Sequence, residues 1–191
     1  TTGGVGSGTV LDHIQTHNSS DDAAEFFGGN VNMKYFVATG ADDDNLDTDT
    51  GIKANFQYVL VVQRANAGDS IIEADSDNAN DGNTPRQNTR IANFTFIQRG
   101  TTGNQAAILL RGGTDYALVN GAIVSPNTTC LRISRAQTAS ATADASIDEV
   151  GAPIIRSVVA QCGATKYRGD NGVTEAQVAA IFGTGANNNN D

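Results

Sequence analysis

The feature that most constrains this chain is an internal repeat with a period of about 22 residues. A short β-prone run is followed by a Gly/Asp/Asn-rich turn, a second short run and another turn. The first copy runs through 13–17, a turn at 18–21, then 22–27 and Gly28-Gly29. The second takes 34–38, a turn at 39–43, then 44–49 and Thr50-Gly51. The third takes 57–62, 64–68 and 69–75; the fourth takes 93–97, a turn at 99–104, then 106–110 and Gly112-Gly113. A fifth covers 117–133 and a partial sixth 153–160. Short strands punctuated by such turns predict all-β structure. A sandwich has no need of repeated sequence, whereas stacked rungs do, because each must lie on an equivalent neighbour. The repeat therefore predicts a β-helix, a solenoid of about five to six rungs over residues 1–172.

Several other features fit that reading. Hydrophobic residues are 39 % of the chain, which suits a narrow shared core. Segments 30–33, 54–56 and 114–117 read as connections into the next rung. Polar stretches 76–88 and 136–147 read as lateral insertions. Thr174 as a cap, Glu175 in the first turn and Val178, Ala179, Ile181 and Phe182 beyond it predict a C-terminal capping helix within 173–191. The polar tail 187–191 is expected to be loose. No comparable cap precedes residue 10. The expectation is that more chain once preceded residue 1, or that another subunit covers that end; a homo-oligomer or fibre formed end to end follows from the second option.

Composition and charge remove other classes. The period and composition exclude a collagen and a coiled coil, and no apolar run is long enough for a membrane-spanning segment. The net charge of −9 argues against nucleic acid as a partner. The opening Thr1-Thr2-Gly3-Gly4 has neither an initiator Met nor a signal sequence, so a mature or trimmed product is expected. A surface rich in Asn, Asp, Gly and Thr and poor in Lys points to a secreted protein, or one of the bacterial cell surface or periplasm. Cys130 and Cys162 fall in successive rungs, and are either one disulfide or two buried thiols.

Three blocks carry a family resemblance: Gly4-Val5-Gly6-Ser7-Gly8-Thr9, residues 17–29 with Asp21-Asp22-Ala23-Ala24-Glu25-Phe26-Phe27-Gly28-Gly29, and residues 39–47 with Asp42-Asp43-Asp44-Asn45-Leu46-Asp47. Leu109-Leu110-Arg111-Gly112-Gly113 is a weaker match. The chain resembles the right-handed parallel β-helices of the pectate-lyase-like superfamily, and more closely a family of uncharacterised bacterial exported proteins and lipoproteins. The resemblance implies that fold and an envelope or extracellular location, and no known activity.

The acidic residues are not scattered. Between Asp21 and Asp81 there are 13 Asp and Glu against 3 Lys and Arg. The repeat stacks Asp22 under Asp44 and Glu25 under Asp47, both 22 residues apart, and Glu73 continues the second row if Ser70 is an extra residue. Adjacent strands lie about 4.8 Å apart, where ionised carboxylates repel. One solution is a hard cation, Ca²⁺, among Asp22, Glu25, Asp42, Asp43, Asp44, Asp47 and Asp49, with Glu73 or Asp75 at the margin. The other is a solvated acidic face that caps turn amides. His13 and His17, evenly spaced on one strand, read as surface residues rather than a transition-metal pair. No P-loop, G-x-S-x-G, H-E-x-x-H or C-x-x-C occurs.

Two functions follow. The first is an exported β-helix with a structural or binding role, stiffened by Ca²⁺. The second is a carbohydrate-active enzyme, a lyase or hydrolase on acidic polysaccharide. A lyase needs Arg or Lys beside a cation site. Arg111 is the best placed, and its plainer role is as charge partner to the acidic rungs.

Overall fold

The computed structural model describes residues 1–101 and 106–191; part of the turn expected at 99–104 lies outside them. The strands are β1 (Thr2–Gly3), β2 (Val10–His17), β3 (Glu25–Phe27), β4 (Asn30–Thr39), β5 (Leu46–Asp49), β6 (Lys53–Val62) and β7 (Ile72–Ala74). They continue as β8 (Asn88–Ile97), β9 (Ala106–Leu110), β10 (Asp115–Ser125), β11 (Thr129–Ser134), β12 (Ile154–Cys162) and β13 (Tyr167–Asp170). One α-helix, α1 (Glu175–Phe182), follows. All strand pairing is parallel, in two sheets. Sheet A runs β1-β3-β5-β7-β9-β11-β13, and sheet B runs β12-β10-β8-β6-β4-β2. Strands that alternate between two parallel sheets wind a right-handed parallel β-helix.

The long strands of sheet B are bent. A residue with positive φ stands near the middle of each: His13, Tyr35, Tyr58, Asn93, Asn120 and Ser157. The flanking register stacks them in one column. Each long strand is thus two arms joined by a left-handed residue. The segments 30–33, 54–56 and 115–117, within the stretches expected as connections, are instead part of the first arms of β4, β6 and β10. Left-handed backbone favours Asn and Gly and is costly for Tyr. The tyrosines are held by stacking: His13 lies 4.4 Å from Tyr35, and Tyr35 lies 4.9 Å from Tyr58. In the second half of the column Asn120 Nδ2 donates to Asn93 Oδ1 at 2.6 Å.

Inward-facing residues build the core between the sheets. Met33, Phe56, Ile91, Leu118 and Ile155 form one column, and Phe36, Val59, Phe94 and Val158 another. Gly121 occupies the second column because the Phe94 ring lies over it: a Cβ there would come within 2.4 Å of a ring carbon. Gly121→Ala should therefore cost about 1–3 kcal/mol, read as a lower thermal midpoint with the same folded circular dichroism. At the N-terminal end β2 is an edge strand. Leu11, Ile14, Phe26, Met33 and Phe36 line an opening there of about 120 Å³.

The C-terminal end is covered. Thr174 caps α1 reciprocally with Gln177, and Val178 and Phe182 are buried, with the Phe182 ring 5.4 Å from Tyr167. The tail expected to be loose is docked. Asn190 N–H donates to Val158 O at 3.0 Å, and Asn190 O accepts from Ala160 N–H at 2.7 Å. Asn189 is buried and donates to Ile155 O at 2.8 Å. Asparagine side chains carry both donors and acceptors, so a polar tail can satisfy a strand edge as backbone would. No helix among the described residues is long and apolar enough to cross a membrane.

Candidate functional site

The outer face of sheet A carries the acidic ladder. In a strand, residues two apart share a face, so β3 presents Glu25 and Phe27, β5 presents Asp47 and Asp49, and β7 continues with Glu73. The register aligns Glu25 with Asp47 and Asp47 with Glu73. The same row then continues through Leu109, Arg132 and Arg168. It passes from acidic through apolar to basic along the solenoid.

The strands expected at 22–27, 44–49 and 69–75 are shorter than the sequence suggests, because the turn before each is held by side chains. Asp22 Oδ1 accepts from Asp44 N–H at 2.9 Å, and Asp44 Oδ1 accepts from Ser70 N–H at 2.5 Å. Each carboxylate caps an amide of the next rung. Asp44 is buried in that role.

Asp22, Glu25 and Asp47 converge, with one carboxylate oxygen of each within 4.8 Å of the others. Glu25 accepts from Thr1 Oγ1 at 2.8 Å. Asp47 is only 7 % exposed, and its Oδ1 has no hydrogen-bond partner among the described residues. Burial pushes the Asp47 carboxyl up to about 10, reinforced by the charges of Asp49, Asp22, Glu73 and Asp44. Burial likewise raises Asp49 to about 7, with Asp75 and Glu73 adding to it, and Asp22 to about 6, with Asp43, Glu25 and Asp21 adding. Asp44 rises to about 9, again chiefly from burial. An anionic group in such surroundings needs either a proton or a cation.

Oxygen ligands at 2.3–2.6 Å from a common Ca²⁺ are up to about 5 Å apart. The trio meets that limit, and the buried Asp47 carboxylate, with one oxygen unpartnered among the described residues, is the member that most needs a cation. The remaining acids stand elsewhere. Asp43 meets Asp22 and the exposed Asp21, an acid the sequence reading left out of the candidate set. Asp42 leaves the group altogether, because it forms an ion pair with Arg64. Glu73 and Asp75 pair with Arg111, at 2.9 and 3.2 Å. The histidines stand apart: His13 sits at the bend and contacts Asp12 at 2.9 Å, and His17 contacts Thr39 Oγ1 at 2.7 Å.

A family model for the pectate-lyase-like beta helix domain matches residues 2–191. The chain belongs to that family. Comparison with curated proteins and with solved structures gives no match. In this pectate-lyase-like β-helix the question for the enzyme reading is Arg111. It stands on the same face as the acids, beside Glu73 and Asp75. Burial opposes its charge, but Glu73 and Asp75 outweigh burial and its pKa is raised. A group that must take up a proton is poorly served by that arrangement. Elsewhere in the domain, a disulfide joins Cys130 and Cys162 across 5.5 Å between Cα atoms.

Proposed function

We propose that this β-helix is a binding or structural module, exported or displayed at the cell surface, whose acidic face is braced by Ca²⁺ at Asp22, Glu25 and Asp47. The observation that carries the reading is the buried Asp47 carboxylate, grouped with Asp22 and Glu25 and with one oxygen lacking a hydrogen-bond partner among the described residues. Three carboxylates, with water and neighbouring oxygens, suit a hard cation that accepts six to eight ligands in irregular geometry. Extracellular calcium modules work at Kd of about 10⁻⁴–10⁻³ M. The disulfide belongs to the same setting, since disulfides persist in oxidising compartments.

Calorimetric titration tests the reading. Ca²⁺ should bind with release of protons, and Mg²⁺, which demands stricter octahedral geometry, should bind more weakly. Asp47→Asn should weaken Ca²⁺ binding at least tenfold while the folded spectrum persists. Equal binding by wild type and variant would sink the site. The enzyme alternative has its own reading in the same sample: release of unsaturated, ultraviolet-absorbing products from an acidic polysaccharide with Ca²⁺ present.

A further inference from the structure

Eight of the chain's basic side chains have carboxylate partners: Lys53, Arg64, Arg86, Arg111, Arg132, Arg135, Lys166 and Arg168. Among the described residues Lys34, Arg90, Arg99 and Arg156 have none; Arg99 stands in the turn after β8, and the other three are exposed on one surface, the outer face of the first arms of sheet B. The register places Lys34 opposite Gln57, Gln57 opposite Ala92, Ala92 opposite Val119 and Val119 opposite Arg156. Arg90 lies two residues before Ala92. The three cations therefore succeed one another every second rung, about 10 Å apart along the solenoid.

The floor between them is apolar. Val10, Val119 and Ile154 are 84 %, 38 % and 45 % exposed on the same face. A shallow cavity of about 330 Å³ opens there between Lys34, Gln57, Arg90 and Val119. Parallel sheets are normally covered on both faces. An exposed apolar floor with unpaired cations is the surface of an interaction site.

The complement lies on the opposite side of the same molecule. Asp21, Asp43 and Asp69 lie along the rim of the acidic face at successive turns, all exposed and none in an ion pair among the described residues, though Asp69 feels the charges of Arg132 and Arg111. They recur at every rung, so Asp21 and Asp69 stand two rungs apart, as Lys34 and Arg90 do. We propose that the outer face of the first arms of sheet B receives the acidic rim of a second copy of this chain. A second copy brings Asp21 and Asp69 at the two-rung spacing of the cations. The contact is heterologous: back of one copy to front of the next, so it propagates sideways rather than closing into a dimer. It is also separate from any end-to-end stacking of rungs, and does not depend on bound Ca²⁺.

The face is small. Six strands at about 4.8 Å and five residues at about 3.3 Å give roughly 500 Å² a side, the low end for specific contacts. Weak association that depends on ionic strength is therefore expected. Sedimentation velocity in EDTA reads it directly. At low salt the weight-average sedimentation coefficient should rise with protein concentration. At about 1 M salt, where charges are screened beyond about 3 Å, the rise should vanish. Lys34→Glu with Arg90→Glu should abolish association, as should Asp21→Lys with Asp43→Lys, each variant keeping the wild-type circular dichroism. An equimolar mixture of the two variants should associate again, because each supplies the face the other needs. A monomer at every concentration at low salt overturns the proposal. So does association that survives the Lys34 and Arg90 reversals, or failure of the mixture when both variants are folded. Low-salt monomers that float with phosphatidylserine vesicles would overturn it in favour of a lipid surface.

Discussion

In EDTA, the melting temperature of this domain should fall as the pH is raised from about 5 to 8, and Ca²⁺ should abolish that fall. The sign follows from the direction of the shifts. Asp22 and Asp49 are raised from an ordinary 3.8 to about 6 and about 7 in the folded state. The folded protein therefore holds protons that the unfolded chain has already lost. A raised carboxylate stabilises the fold fully below the unfolded pKa, and that contribution is lost as the pH climbs through the folded value. Asp44 and Asp47, at about 9 and 10, extend the loss to still higher pH. Ionising even one such group beside its neighbours costs on the order of 1–3 kcal/mol. For a chain of this length that is roughly 3–10 °C. A bound cation takes the place of the protons, so at a Ca²⁺ concentration of about 100 Kd the fold regains some 2.7 kcal/mol. Melts across the pH range, with EDTA or with Ca²⁺, check it. A flat profile in EDTA would mean that the ladder is better solvated than its burial implies. Parallel profiles would mean that no cation binds.

The second large effect lies away from the ladder. Arg86 is fully buried at the end of the 76–88 insertion. It forms an ion pair with Glu149, lies 3.9 Å from Asp115, and donates to Asp81 O at 3.0 Å. Burial, with Glu149 alongside, raises Asp115 to about 7, against the lowering pull of Arg86 and of the Val150 amide. Two buried carboxylates thus face one guanidinium, which also joins the two insertions through Asp81 O and Gln137 O. Removing one partner of a buried pair costs about 3–5 kcal/mol, because the other charge is left uncompensated. Arg86→Met should show that loss in denaturant unfolding. Adding Glu149→Gln should recover part of it, since less charge is stranded. A double variant no more stable than Arg86→Met would show that the guanidinium acts through packing alone.

The parts of the molecule that were legible in the sequence are those that obey the repeat. The 22-residue step from Glu25 to Asp47 is the observed register, and Glu73 does continue the row. The bent strands were not legible, because the residues at the early bends are His13, Tyr35 and Tyr58. None is a turn signal, and their stacking against one another is a contact between rungs that no local pattern records. Asp42 looked like its neighbours in the acidic run. Its departure to Arg64 depends on two turns meeting across a rung, which no local pattern records. The docked tail was hidden for a chemical reason: a run of Asn reads as solvent-facing until a strand edge offers it partners.

That docked tail also gives the solenoid a direction. Val158 and Ala160 offer backbone groups at the last edge of sheet B, and Asn190 has already claimed them. Such an edge is a poor template for a stray strand, since recruiting one requires evicting a hydrogen-bonded plug. The domain thus carries its own stopper at one end. Trimming a few polar residues there would uncork an adhesive surface without touching a single side chain of the hydrophobic core.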